Sequence, residues 1–418
     1  MARNNQEGAY QQYFVAYFSG LNPYQLFSEF ITALSATINF IERKRRDHAR
    51  HVAALSYHLG LYTRRLDPQE LREVFFAGLL HDIGEIGIFD YILDKKGKLS
   101  EEERRLLAQH CRVGARIVQQ LPTLKDAARF VLHHHERWDG LGYPDRLIHD
   151  ATPLGAQIIA LCDAFDVVLN LRFREEEPDQ ALALTLEELR RFAGLQFNPW
   201  LVELMERMIA EQGLERLIQI QEEDQLIIEI LTIEHPEFGY FMEHYLEILL
   251  DFFNIVLEAK HRGTAAHCRR VAELCRVMGE HLGLPTISIE TLMIAGRLHD
   301  IGKIALPHRL LEPAALMSTE EMEQFRHHRE YTMQILRHIS GFGPVVRLIE
   351  VDPDGREGLA VSTDGKPNLA GILRAANLWD EIVSYPHLNR LSRILETTVP
   401  IPERLTELEA RVIDRVLA

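Results

Sequence analysis

The sequence predicts an all-α protein built as two tandem helical bundles. Three observations carry that reading. The chain repeats itself, both repeats hold helix-start signals at matching places, and the alternating apolar pattern of β-strands is nearly absent. At 418 residues, two domains are the natural expectation. An apolar fraction of 46% is ordinary for globular chains, so each domain can build a full core.

The repeat is read from constant offsets. Residues 46–121 recur as 265–339. His48 matches His267 at an offset of 219, Leu80-His81-Asp82-Ile83-Gly84 matches Leu298-His299-Asp300-Ile301-Gly302 at 218, and His110 matches His328, again at 218. Gaps rarely stay so constant by accident, which implies a duplication.

The elements follow in order. Asn22-Pro23 reads as an N-cap followed by an N1 proline, and so does Asn198-Pro199. Ser100-x-x-Glu103 and Ser318-x-x-Glu321 are capping boxes, in which serine and glutamate each satisfy an orphan N–H. Val113, Ile117 and Leu121 form one apolar helical face. The first copy, with the N-terminal helices, is expected over residues 1–210. Residues 211–235 are the linker: Gln219–Asp224 is polar, and the apolar Leu226–Ile233 is either an interdomain strand or a buried helix segment. The second copy occupies 236–418 and opens with a helix over Phe238–Glu258.

Composition narrows the function. A net charge of -16 argues against a nucleic-acid polymer as partner, because such binding needs a basic surface. No run of 18 uncharged apolar residues exists, so no membrane span is expected. Met1–Glu7 lacks the apolar core of a signal peptide. Cys111, Cys162, Cys268 and Cys275 form no CxxC pair, which fits reduced thiols in a cytoplasmic protein.

Residues 133–144 read His-His-His-Glu-Arg-Trp-Asp-Gly-Leu-Gly-Tyr-Pro, downstream of His81-Asp82-Ile83-Gly84. Imidazole and carboxylate together suit Fe, Mn, Zn or Ni better than a hard-oxygen Mg site. Such ligands projecting into a helical bundle have precedent as dimetal sites. Metal-assisted hydrolysis is the chemistry these residues suggest, and bound cations would let an acidic chain hold an anionic substrate.

Residues 46–200 resemble the HD-GYP family, a bacterial branch of the HD superfamily of metal-dependent phosphohydrolases. The resemblance rests on Asp47-His48, His81-Asp82-Ile83-Gly84, Gln109-His110, His134-His135-Glu136-Arg137-Trp138-Asp139-Gly140-Leu141-Gly142-Tyr143-Pro144, Cys162-Asp163-Ala164-Phe165-Asp166 and Gln196-Phe197-Asn198-Pro199. It implies hydrolysis of cyclic dinucleotides, mostly cyclic di-GMP. It implies two divalent metal ions, iron or manganese foremost, held by His48, His81, Asp82, His110, His134, His135 and Asp163. Asp82 would bridge the ions, and an acidified water would attack phosphorus. Three-metal members carry a glutamate where Lys44 stands, which favours two ions here.

Other residues have plainer readings beside the functional ones. His133 is expected to be structural, His51 and His58 to pack or face solvent, and Trp138 to anchor. Gly142, Tyr143 and Pro144 either shape their loop or touch substrate. Arg137 is a satisfied charge or a phosphate contact.

The chain departs from the family pattern at several positions. Glu85 stands where the family has a phosphate-contacting lysine. It would hold an extra metal, mark weakened substrate affinity, or form a surface salt bridge. Arg172 is the expected phosphate clamp, with Arg174 assisting, although Glu175–Glu177 turns the segment acidic. The second copy keeps His267, His299, Asp300 and His328, a residual metal site in which Glu350 would assist. It also carries the family lysine, as Lys303. Ile349 and Glu350 replace the histidine pair, and Asn377 replaces the last aspartate. A regulatory or dimerising role follows for it.

The resulting expectation is a cyclic di-GMP phosphodiesterase with Asp82, Glu85 and Arg172 in the catalytic set. A 3′,3′-cyclic GMP–AMP phosphodiesterase and a weak or inactive cyclic-dinucleotide receptor are the alternatives. A homodimer or a signalling partner protein is the expected assembly.

Overall fold

A computed structural model of the chain describes residues 10–21, 25–26, 29–30, 33, 37, 48–121, 124–214, 243–311, 317–350 and 368–384. Among these are α-helices, 3-10 turns, loops and an isolated β-bridge between Ala193 and Phe197, with no β-strand. The all-α expectation holds. Lys44, Asn22-Pro23, Gln219–Asp224, Leu226–Ile233 and the start of the Phe238–Glu258 helix lie outside the described residues.

The chain divides into two compact units. One is Leu34–Ile248; the other joins Met1–Ala33 to Leu249–Ala418. Helix α1 (Gln11–Tyr17) therefore belongs with the second copy, whereas the sequence had grouped the N-terminal helices with the first. The physical reason is specific. The Tyr13 backbone N–H donates to Glu290 at 2.6 Å, its hydroxyl donates to the Gly341 carbonyl at 2.8 Å, and Phe18 packs edge-on against Phe342.

In the first unit, α2 (His48–Thr63) packs against α3 (Pro68–Leu80), and both meet α7 (Leu154–Arg172). Helix α3 starts at an Asp67/Glu70 capping box with Pro68 at its first position. Helix α4 (Glu101–Leu107) starts at the expected Ser100/Glu103 box, and α5 (Gln109–Val118) follows at once. Helix α6 (Lys125–His133) packs on α3 and α5. Helix α8 (Pro178–Phe192) packs on α7, and α9 (Pro199–Gln212) opens with the Asn198 side chain accepting from the Trp200 N–H. Helix α7 is long and apolar enough by composition to cross a membrane, with mean hydropathy 1.6. It carries Asp163 and Asp166, however, and its Ile158, Ile159, Leu161 and Phe165 are fully buried in the bundle. It is the central core helix.

The second unit repeats this plan. Helix α10 (Tyr245–Lys260) precedes α11 (Arg262–His281), which packs on α12 (Thr286–Leu298). Helix α13 (Thr319–Arg326) starts at the Ser318/Glu321 box, followed by α14 (His328–Leu336), α15 (Gly343–Glu350) and α16 (Leu369–Ser384).

Close backbone approach explains the glycine of each His-Asp-Ile-Gly motif. A β carbon on Gly84 would lie 1.9 Å from the His110 carbonyl oxygen, and one on Gly302 would lie 1.9 Å from that of His328. No side chain fits there, so the glycine lets the next histidine's helix close over the His-Asp turn.

Helix α3 is tied to the start of α6 by Glu73, which is buried and accepts the Ala127 N–H at 2.6 Å. Burial pushes the Glu73 carboxyl up to about 7, against the pull of that N–H and of Arg72. A folded pKa above the unfolded value means stability that is present below about pH 4.5 and lost as pH rises through about 7. Glu73→Gln keeps an acceptor without the charge. It is expected to match the wild type in urea denaturation at pH 4.5 and to exceed it at pH 8 by roughly 2–3 kcal/mol.

Candidate metal centre

Every ligand expected in the first copy converges on one buried point. His48 opens α2, His81 and Asp82 close α3, His110 sits in the first turn of α5, His134 and His135 follow α6, and Asp163 comes from the middle of α7. The side chains form two groups. Ligand atoms of Asp82, His110, His134 and His135 lie within 4.8 Å of one another, as do those of His48, His81 and Asp163. Asp82 joins them. Its Oδ1 faces His110 Nε2 at 3.6 Å and His134 Nε2 at 3.7 Å, and its Oδ2 faces His81 Nε2 at 3.3 Å. Across the second group, His48 Nε2 is 3.3 Å from Asp163 Oδ1.

Local geometry aims the rings. The Nδ1 atoms of His81, His110 and His134 meet the carbonyls of Gly78, Leu107 and Val131, each three residues back, at 2.7–2.8 Å. His48 Nδ1 instead meets Asp166 Oδ2 at 2.7 Å. With Nδ1 donating, each Nε2 lone pair points inward, the arrangement a metal-bound imidazole needs. The sequence places Asp166 at the end of the Cys162–Asp166 motif without giving it a role. His51, expected to pack or face solvent, reaches Asp166 Oδ1 with its Nδ1 at 2.9 Å, and Asn170 donates to Oδ2 at 2.8 Å. The signal existed: Asp166 lies three residues after Asp163, on nearly the same helical face.

Burial opposes charge on the imidazoles. It pushes His110 down to about 4 and His135 well below its usual value, helped by neighbouring histidines. These rings are neutral and able to ligate. Burial would lower His81 too, but Asp82 outweighs it and lifts the imidazole to about 9. His81 Nε2 is buried and makes no hydrogen bond of acceptable geometry. The buried Asp82 and the largely covered Asp163 need cationic partners. The donor set therefore fits metal cations, which would displace the proton of His81.

The remaining expected site residues divide. Tyr143 lies 5.0 Å from the His135 ring, and its N–H donates to the His135 carbonyl at 3.2 Å. Burial raises its phenol, with added push from Cys111, Asp82, Asp163 and Glu85, so it stays a neutral donor. A β carbon on Gly142 would meet the Arg137 nitrogen at 2.4 Å, so this glycine lets the loop fold back on itself. Pro144 continues that loop after a cis peptide bond. Glu136 clamps the loop by accepting the N–H groups of Asp145 and Leu147. Trp138 anchors it through backbone hydrogen bonds to Gln196 and His149 and ring contact with His149. Glu85 sits half-exposed on the turn Ile83–Gly87.

The arginines are placed elsewhere. Arg137 forms a two-pronged pair with Asp139 at 2.6 and 3.0 Å, the satisfied-charge reading. Arg172 pairs with Glu188 at 3.2 Å, nine residues past Asp163 and so about 13 Å along the helix axis. Arg174 is exposed. No hydrogen bond or ion pair joins either Arg172 or Arg174 to the described cluster. His133 pairs with Asp145 at 3.1 Å and is structural, as expected.

Comparison with known proteins agrees with this geometry. HD-domain family models match residues 33–193 and again residues 264–381. The chain belongs to the HD-domain superfamily, with two tandem domains. The cyclic di-GMP phosphodiesterase response regulator RpfG of Xanthomonas campestris is 35% identical over 178 residues, 42% of this chain and 47% of that protein. A cyclic di-GMP phosphodiesterase of Thermotoga maritima is 33% identical, over 42% of this chain and 49% of its own length. The chain thus spans about half the length of these relatives. The 3′3′-cGAMP-specific phosphodiesterase 3 of Vibrio cholerae is 22% identical, over 85% of this chain and 86% of that protein. The crystal structure of the V. cholerae cyclic GMP–AMP phosphodiesterase V-cGAP3 superposes with a TM-score of 0.56 at 22% identity. It covers 93% of this chain and 97% of that one, a likeness of fold.

The second HD domain is built differently. Ligand atoms of His267, His299 and Asp300 lie within 4.8 Å, and His328 Nε2 is 3.3 Å from Asp300 Oδ1. His267 is oriented by Asp380, the counterpart of Asp166, at 2.7 Å, and Arg270 grips the same carboxylate. Glu350 is not part of the cluster. It is exposed and paired with Arg337, so the expectation that it assists a metal fails.

Asp166→Asn in the first copy is expected to weaken metal binding about 10–100-fold by loosening His48. Competition with a chelator measures it. His133→Ala should leave metal affinity unchanged.

Proposed function

We propose that the first copy is the active site of a cyclic dinucleotide phosphodiesterase that uses two divalent ions, iron or manganese, with cyclic di-GMP as substrate. The observation that carries this is Asp82, a buried carboxylate with one oxygen toward each of two His/Asp groups. When bound, such ions supply Lewis acidity and make water acidic enough to serve as nucleophile at neutral pH.

The chain's residues do the rest. His48, His81 and Asp163 hold one side of the centre; His110, His134 and His135 hold the other. Tyr143 keeps its proton and stands beside His135, placed to donate to a substrate oxygen. Arg137, Arg172 and Arg174 are spoken for or distant, so phosphate recognition falls to the cations of the centre rather than to arginine clamps. Glu85, on the turn after Asp82, then tunes the local charge. An extra cation at Glu85 is compatible with that placement.

One observation favours a second substrate. The relative that aligns with 85% of the chain is named for 3′3′-cGAMP, and it matches both copies rather than the first alone. A cytoplasmic setting is supported by four buried cysteines, none in a disulfide. The second copy is read as regulatory or dimerising.

Hydrolysis of cyclic di-GMP and 3′,3′-cyclic GMP–AMP by anaerobically purified full chain tests the proposal. Turnover is expected for one of the two, with about two metals per chain. Asp82→Ala should cut the rate by at least about 10³-fold. Metal-loaded chain that binds the dinucleotide and leaves it intact would replace the enzyme with a receptor. Equal rates after aerobic and anaerobic purification would rule against ferrous iron.

A further inference from the structure

The carboxylate that orients the first histidine of the cluster is held differently in the two copies. In the first, Asp166 Oδ2 meets His48 Nδ1 at 2.7 Å and accepts from the Asn170 amide at 2.8 Å, while Oδ1 meets His51 Nδ1 at 2.9 Å. In the second, Asp380 Oδ2 meets His267 Nδ1 at 2.7 Å. Arg270 closes on both oxygens, donating from Nε to Oδ1 at 2.5 Å and from Nη2 to Oδ2 at 2.8 Å. His51 and Arg270 each stand three residues after that histidine, so they occupy the same place in the duplicated helix.

The two side chains share a task and differ in charge. A guanidinium stays a cation, whereas an imidazole gains or loses its proton near neutrality. A carboxylate behind a metal-bound imidazole raises the basicity of the ligating nitrogen. A permanent cation on that carboxylate draws its charge away from the imidazole. Burial would raise the Asp166 carboxyl, but the hydrogen bonds of His48 and His51 hold it below its usual value, so it is ionised. The His51 side chain is 23% exposed and that of Asp166 4%, so His51 can exchange protons with water while the carboxylate stays covered. Helices α3, α7 and α9 pack on α2. Among their described residues, Asp166 is the charged group in hydrogen-bond or ion-pair contact with His51.

We propose that His51 is a positioning residue of the first copy's metal centre, fixing Asp166 behind His48 without a permanent positive charge, so that the ion on the His48 side is held more tightly once His51 is neutral. With its proton on, His51 acts as Arg270 does, and His48 Nε2 is the weaker donor. With its proton off, a neutral Nδ1–H still fixes Oδ1, and the full charge of Asp166 acts on His48. The proposal rests on the reading of the first copy as a metal centre.

The test measures manganese affinity of the full chain by competition with a chelator, from about pH 6 to about pH 9. His51→Arg is charged throughout this range, and the duplicated helix already carries an arginine at that place. His51→Gln is neutral throughout. The wild type is expected to match His51→Arg near the acid end and His51→Gln near the alkaline end, where it should bind up to about tenfold more tightly than His51→Arg. Titration of the chelator and of the ligands is common to all three proteins and cancels in their ratios. In an Asp166→Asn background the gap between histidine and arginine should close, because the charge acts through that carboxylate. Ratios that stay constant across the pH range would show a prop and nothing more, and overturn the proposal. So does a gap that survives Asp166→Asn at full size. Wild type that holds no manganese at any pH fails the metal reading itself and takes the proposal with it; manganese held with constant ratios fails the proposal alone.

Discussion

A buried carboxylate sets the terms for the first copy. Asp82 is 6% exposed, and the imidazoles of His81, His110 and His134 face its two oxygens. An isolated carboxylate in such a place is strongly unfavourable. The bundle answers with imidazoles on every side, supplied by helices far apart in sequence. The rings of His48, His81, His110 and His134 are turned inward because their outer nitrogens are already committed to a carbonyl or to Asp166. Gly84 belongs to the same arrangement, since any side chain there would push the His110 helix away from Asp82. Ring orientation, close helix approach and the unmet nitrogen of His81 all serve one requirement, a cation beside Asp82.

The second copy meets the same requirement by another route. It keeps the carboxylate, the glycine and the histidine carrier aspartate, so the scaffold is preserved. There the Lys303 ammonium lies 2.5 Å from Asp300. The comparison gives Glu85 a physical meaning: a carboxylate there adds negative charge beside Asp82 and raises the demand for cations, where a lysine would satisfy it.

Much of this was legible in the sequence, for reasons that are local. Ligand residues at the ends of helices appear as short motifs, and rigid helices carry their spacing into space. The capping boxes at Ser100 and Ser318 formed as written because they close within four residues. What stayed hidden involves partners far along the chain. Nothing near Tyr13 says that Glu290 will receive its N–H, so the N-terminal helix was grouped with the wrong copy. Arg172 looked like a clamp until Glu188, a helix away, claimed it. Arg137 could have been settled earlier, because Asp139 lies only two residues on. His51 and Asp166 became a pair only when α2 packed on α7.

Anomalous X-ray diffraction from crystals of the metal-loaded chain, recorded across the iron and manganese edges, tests the central claim most directly. The account predicts two peaks in the first copy, about 3.5–4 Å apart on either side of Asp82. A single peak there, or peaks lying away from Asp82, would contradict it.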